Sequence, residues 1–217
     1  MKLGSFCLVT AAAAALACDP RGVSVGTQEL CVADPELVVA EAWSDEPPLS
    51  KCARVGENEL IGGDFEEPAV TCASSTFCQV PAADVAGWRT SSGVQQIEVW
   101  HDGYHGVPAP EGSQFVELDA SSPDTLSQDV ALPPGQLMYW SFLHRGRNEV
   151  EIVELSIGPP EATVSQGLFS SPTDAWYPNS GLYRVGEGED LTRFELASRS
   201  GFLEGNLIDA VVFAPVE

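Results

Sequence analysis

"QLMYWSFLHR" (residues 136–145) and "EVEIVELSIG" (residues 149–158) lie on either side of a three-residue "GRN". In the first run Trp140, Phe142 and His144 fall on one side of an extended chain, and Tyr139, Ser141 and Leu143 on the other. Apolar residues on both sides mark a strand covered on both faces, which belongs in the middle of a sheet. In the second run Val153, Leu155 and Ile157 alternate with Glu154 and Ser156, the pattern of a strand with one wet face. The turn chemistries "LPPGQ" (132–136) and "IGPPE" (157–161) close the pair.

Working outward, the same texture recurs in "VQQIEVW" (94–100), "QFVELDA" (114–120) and "TLSQDVAL" (125–132), then in "SGLYRV" (180–185), "TRFELASRS" (192–200) and "NLIDAVVF" (206–213). Turn chemistry such as "APEGS" (109–113) and "GEGED" (186–190) separates these runs. No long helical period follows residue 60. Strand after strand at this spacing predicts an all-β, antiparallel jelly-roll β-sandwich.

The N-terminus differs. Lys2 precedes an apolar, alanine-rich run over residues 6–17, too short to span a bilayer and shaped like the core of a signal peptide. The run ends in "ALAC", small residues directly before Cys18. This resembles the lipobox of bacterial lipoproteins, although Ala15 stands where that motif prefers Leu. The resemblance implies export across the inner membrane, lipidation of Cys18 and anchoring to the cell envelope. Plain secretory cleavage is the alternative. Parity favours lipidation, since it leaves Cys31, Cys52, Cys72 and Cys78 as an even set in an oxidising compartment. Proximity along the chain pairs Cys31 with Cys52 and Cys72 with Cys78, one of three connectivities open to four cysteines.

The expected organisation is a signal peptide over 1–17, a lipid-anchored, disulfide-stapled spacer over 18–57, and one sandwich domain over 58–217. Within the spacer, "ADPELVVAEAW" (33–43) carries a helix signal, with Asp34 as cap and Pro35 in the first turn. The formal charge of -22 excludes nucleic acid and anionic lipid headgroups as partners, because neutralising phosphates needs Lys and Arg.

"NELIGGDFEEP" (58–68), Gly87–Trp88 and the terminal "NLIDAVVF" together resemble the galactose-binding-like jelly rolls. That group includes bacterial carbohydrate-binding modules and plant cell-wall extracellular domains of undetermined ligand. The middle of the chain, "IEVWHDGYHGVPAPEGSQFVELDA" (97–120) followed by "WSFLHRGR" (140–147), resembles the bacterial members most. The resemblance covers most of residues 58–216. It implies a structural Ca²⁺ held by Glu66 and Asp209, two hard oxygen donors for a hard ion. Gly62 departs from the family pattern, where Asn is usual. Asp64 also departs, and either adds a ligand or faces water.

For function, the resemblance and the residues lead to non-catalytic, lectin-like carbohydrate binding. Aromatic faces suit the apolar side of a pyranose, and planar polar groups suit its hydroxyls. Trp100, Tyr104, Glu117, His144 and Arg147 are the expected ligand-binding set, and Trp176 and Tyr177 in "TDAWYPNSG" (173–181) form a second aromatic site before a turn at Asn179–Gly181. Trp88, Trp140 and Phe142 read as core. Arg145 and Arg147 either clamp an acidic glycan or pair with internal carboxylates. His101, Asp102 and His105 offer metal-ligand chemistry, but no rigid element fixes them, so the stretch reads as a long hairpin connection. No residue is nominated as catalytic: the chain has no G-x-S-x-G, no H-E-x-x-H and no phosphate loop. The alternative function is an adhesion or envelope-assembly module that binds a protein partner, and a hydrolase built on an acidic pair ranks third.

Overall fold

The structure is a computed structural model that describes residues 29–33, 50–71, 77–118, 124–199 and 205–217, with the backbone alone for 29–33 and 50–52. The signal peptide, Cys18, the helix signal around Asp34 and Cys72 lie outside the described residues.

Strands β1 (Glu29–Ala33) and β2 (Ser50–Arg54) form a separate antiparallel ladder. The others are β3 (Cys78–Pro81), β4 (Arg89–Thr90), β5 (Gln96–His101), β6 (Gln114–Glu117), β7 (Thr125–Val130), β8 (Leu137–Gly146), β9 (Glu151–Gly158), β10 (Val164–Ser171), β11 (Tyr177–Arg184), β12 (Thr192–Ser198) and β13 (Asn206–Pro215). They build a five-stranded sheet in the order β10-β9-β12-β7-β4 and a six-stranded sheet in the order β11-β8-β13-β6-β5-β3. All pairings are antiparallel. The fold is therefore the all-β sandwich the alternation predicted.

The two sheets bury their facing side chains against one another. Val153, Leu155, Ile157, Phe194, Leu196 and Leu126 from one sheet meet Ile97, Val99, Val116, Met138, Trp140, Phe142 and Phe213 from the other. Trp88 is part of this core too. β8 lies between β11 and β13, so its double-sided apolar pattern has its cause in a central position. Away from the core, the six-stranded sheet carries a second apolar layer of Trp100, Tyr104, Val107, Phe115 and Leu207.

Four segments depart from the sequence reading. β10, "VSQGLFSS", was not foreseen; its alternation is broken at Gly167, where the register with β9 shifts. β3 and β4 are too short to show a period. The expected turn at Asn179–Gly181 is instead the interior of β11, paired residue for residue with β8. The Asn and Gly there are tolerated because β11 is an edge strand, where intrinsic preference counts for less than ladder pairing.

Residues 54–59 run antiparallel to the chain end. Glu217 N donates to Arg54 O at 2.8 Å, Gly56 N to Pro215 O at 2.8 Å and Glu59 N to Phe213 O at 2.9 Å. The backbone register of the first ladder sets Cys31 opposite Cys52. Cys78 is disulfide-bonded.

Candidate functional site

The connection between β5 and β6, residues 102–113, folds back over the outer face of the six-stranded sheet. Three backbone devices close it: Gly103 N donates to Val107 O at 2.9 Å, Val107 N to Tyr104 O at 3.0 Å, and Asp102 N to Ser113 O at 2.8 Å. Asp102 Oδ1 accepts from Ala109 N at 2.9 Å, and His105 sits at φ 51° with its ring edge-on to Tyr104. The acid and the histidine thus have local work in shaping the loop.

Beneath the loop lies Trp100, 0 % exposed. Its ring takes Tyr104 edge-on at 4.6 Å, Phe115 at 5.7 Å and the Arg147 guanidinium at 4.8 Å. Its Nε1 donates to Glu98 Oε1 at 2.8 Å. Glu98 stands opposite Glu117 in the β5–β6 register, and each is 2 % exposed. Arg147 Nη1 reaches both Glu117 oxygens at 3.1 Å, and Gly205 N donates to Glu117 Oε1 at 2.8 Å. Burial, then the hydrogen bond and charge of Glu117, push the Glu98 carboxyl up to about 8. Glu98 therefore holds a proton at neutral pH and bridges to Glu117.

The expected ligand-binding set divides on this geometry. Trp100, Tyr104, Glu117 and Arg147 do come together, but as a closed cluster in which the first three are buried. The faces of Trp100 and Tyr104, expected to meet a saccharide, are turned on one another and on their neighbours in this structure. His144 is not in the cluster at all. It faces the inter-sheet core, 0 % exposed, with Nε2 on Asn206 Oδ1 at 2.8 Å. Burial lowers its pKa to about 4, so the ring is neutral. The alternation that put His144 beside Trp140 and Phe142 already implied this side of the sheet.

What does reach the surface is the rim. Trp176 is half-buried, edge-on to Phe115 at 5.3 Å, and its Nε1 donates to Pro108 O at 2.8 Å. The indole is thus locked in place while part of it meets solvent. β11 begins by pairing Tyr177 with His144; Trp176 immediately precedes the one and Arg145 follows the other in sequence. Arg145 Nε is buried with no hydrogen-bond partner. Tyr177 OH donates to Asp174 Oδ1 at 2.8 Å on the same rim.

A second constellation lies at the other end of the loop. β13 bulges between Asp209 and Val212, with Ala210 at φ 51°. Asn58 holds the bulge, its Nδ2 donating to Val211 O at 2.8 Å and its Oδ1 accepting from Phe213 N at 2.8 Å. Val211 N donates to Gly63 O at 2.8 Å. This clasp brings the segment of Glu66 to Asp209. Glu66 Oε1 accepts from Ser113 N at 2.7 Å and Gln114 N at 2.8 Å, and Oε2 from Ser113 Oγ at 2.7 Å. Gly112, at φ +55°, fits only as glycine, because a Cβ there would stand 2.3 Å from Glu66 Oε1.

Asp209 is 0 % exposed; Oδ1 accepts from Ala210 N at 2.7 Å, while Oδ2 is buried with no partner. Burial first, then the charges of Glu111 and Glu66, push its pKa up to about 8, although N–H groups of Ala210 and Glu111 pull the other way. Glu111 is raised as well, by burial and by Asp64 and Glu66. Four carboxyl groups thus share one field, and no Lys or Arg enters the balance for Asp209 or Glu111. A hard cation would satisfy the orphaned oxygen. Among the described residues no three acidic, His or Cys side chains stand together as a group that could hold a metal ion. Sequence reasoning missed Glu111, which lies in a Pro- and Gly-rich loop whose return to β13 no local pattern announces.

No family model matches the sequence, and no curated protein matches it. Among solved structures, the chain is similar to TmCBM61 in complex with β-1,4-galactotriose, at 18 % identity and TM-score 0.46, covering 73 % of this chain and 98 % of that one. It is similar to a CBM4 structure at 15 % identity and TM-score 0.45, covering 72 % and 99 %. It is also similar to the CBM22-1 xylan-binding domain of Paenibacillus barcinonensis Xyn10C, at 12 % identity and TM-score 0.46, covering 68 % and 99 %. With these scores below 0.5, the site has to be read from its own residues.

Proposed function

We propose that the chain is a non-catalytic carbohydrate-binding protein of the bacterial envelope, and that the saccharide lies on the rim formed by Trp176 and Arg145. The observation that carries this is the pre-set indole of Trp176, whose Nε1 is already satisfied by Pro108 O at 2.8 Å. A fixed aromatic surface costs little entropy when a pyranose stacks on it. On the neighbouring strand β8, half-buried Arg145 offers a guanidinium that would engage a sugar hydroxyl or carboxylate. The Glu98–Glu117 pair does not support hydrolysis. Its carboxyls meet directly, whereas a glycosidase pair stands roughly 5 Å or more apart to admit substrate.

The test is a glycan array probed with the full-length protein and with Trp176→Ala. Binding to a glycan class that Trp176→Ala loses supports the reading. No binding by folded protein removes it and turns attention to a protein partner on the envelope.

The same reading carries a structural Ca²⁺ at Glu66 and Asp209, where hard oxygen donors would neutralise the acidic cradle. It also carries lipid on Cys18 and the pairs Cys31–Cys52 and Cys72–Cys78. The opposed register of Cys31 and Cys52 supports the first pair. Incorporation of labelled fatty acid, abolished by Cys18→Ala, tests the anchor, and peptide mapping without reduction tests the pairs.

A further inference from the structure

We propose that β10 is a self-association edge, where two copies of this chain pair antiparallel about a two-fold axis at Leu168 and join their five-stranded sheets. The inference goes beyond the carbohydrate reading and does not depend on it.

A sheet edge presents unpaired N–H and C=O groups, and proteins that stay single blunt it with short strands, proline or charge. The two sheets end in β10, β4, β11 and β3. Three of these are blunted. β4 has two residues, and β3 has four with Pro81 at its end. β11 carries Pro178 and Arg184. β10, "VSQGLFSS", is eight residues long and holds neither a proline nor a charged side chain. Among the described residues it is paired on one side only, with β9. Its bulge lies between Ser165 and Gly167, so the register from Gly167 to Ser171 is regular.

The side chains of β10 are open as well. Leu168 is 64 % exposed and Val164 61 %, the two most open large apolar side chains among the described residues. Leu168 stands opposite Glu154, so exposed Ile152 lies diagonal to it on the same outer face of the sheet. Glu154 is itself paired with Arg199 at 2.6 Å, which neutralises the strip behind the edge.

Charge selects the occupant. The chain has a formal charge of -22, so two copies repel over most of their surfaces. β10 is neutral, and a two-fold axis sets it only against itself. With Leu168 on the axis, Leu168 meets Leu168 of the second copy, Gly167 meets Phe169, and Gln166 meets Ser170. No pair across that ladder holds a charge. Backbone hydrogen bonds supply the attraction, as in other strand additions, and the leucines cover each other. The contact is isologous, so it closes at two copies.

Sedimentation of the full-length protein over rising concentration reads the assembly. Wild type should pass from one copy to two, and higher salt should favour two by screening the acidic surfaces. Leu168→Lys should stay single throughout, because like charges then face each other on the axis. Its melting at low concentration should match wild type, since an open side chain adds little to the core. Under mild oxidation Leu168→Cys should give a disulfide-linked dimer beyond the wild-type background, and Ser170→Cys, which lies off the axis, should not. Folded wild type that stays single overturns the proposal and leaves β10 to a strand of another protein or to residues 34–49 of this chain. A dimer that survives Leu168→Lys overturns it too, placing the contact on another surface. If Leu168→Lys fails to fold, the cysteine variants decide: no cross-link at 168, or equal cross-linking at 168 and 170, overturns the two-fold pairing.

Discussion

Glu98 and Glu117 face each other across the β5–β6 ladder, each 2 % exposed, with Arg147 paired to Glu117 and the Trp100 indole N–H on Glu98. Two buried carboxyls beside one guanidinium settle their electrostatics by keeping a proton between them.

That proton gives stability a direction with pH. The Glu98 pKa is raised from 4.5 to about 8, so the folded chain holds a proton that the unfolded chain releases. Its contribution is complete below 4.5 and is lost as pH rises toward 8. Glu98→Gln keeps an acceptor for Trp100 and a donor for Glu117 but cannot ionise. Its stability should gain on wild type steadily across that window in urea unfolding; parallel pH profiles for the two proteins would refute the shared proton.

Removing Arg147 should be severe. Arg147→Ala strands the buried Glu117 charge and strips the cation from the face of Trp100. Breaking a buried pair from one side costs about 3–5 kcal/mol. Double replacement, Arg147→Ala with Glu117→Gln, should recover part of the loss, and a double-mutant cycle reads the coupling.

His144 pulls the other way in acid. Its folded pKa is lowered from 6.5 to about 4 by burial, so the unfolded chain binds the proton more readily. The folded state keeps its full margin above 6.5 and loses it as pH falls toward 4. His144→Gln should flatten that limb of the stability profile, and a limb that stays as steep would place the acid sensitivity elsewhere.

Gly112→Ala should cost about 1–3 kcal/mol from its positive φ alone. The added Cβ also meets Glu66, so Ca²⁺ affinity should fall with it. Calorimetry on this variant separates the two effects: unchanged affinity in a destabilised protein would detach Gly112 from the cradle.

Trp100→Ala and Trp176→Ala should part company. The first opens a large void in a sealed cluster and costs about 3–5 kcal/mol. The second removes a half-buried ring at the rim, so thermal unfolding should change far less while glycan binding is lost. If Trp100→Ala left the melting transition in place, the buried role assigned to that ring would be untenable.

Much of the sandwich was legible because its signal is local. Alternation in "QLMYWSFLHR" gave both faces of β8 correctly, and Phe115 and Glu117 fell opposite Val116 and Leu118 as the period requires. β10 escaped because Gly167 interrupts its alternation, and only the start of β11 escaped, because Asn179 to Gly181 read as a turn until β8 paired with them.

The amino-acid sequence by itself determined the class of fold, the sidedness of most strands and the acidic character of the chain, since composition and a two-residue period are properties of neighbours in sequence. Tertiary structure alone decided which residues meet solvent. Trp100 looked as available as Trp176 until the loop closed over it, and Glu111 carried no pattern until that loop brought it to the bulge at Asp209. Both places also depend on β13, about a hundred positions away, through Leu207 against Trp100 and Asp209 beside the loop, and nothing in a local stretch encodes such a contact.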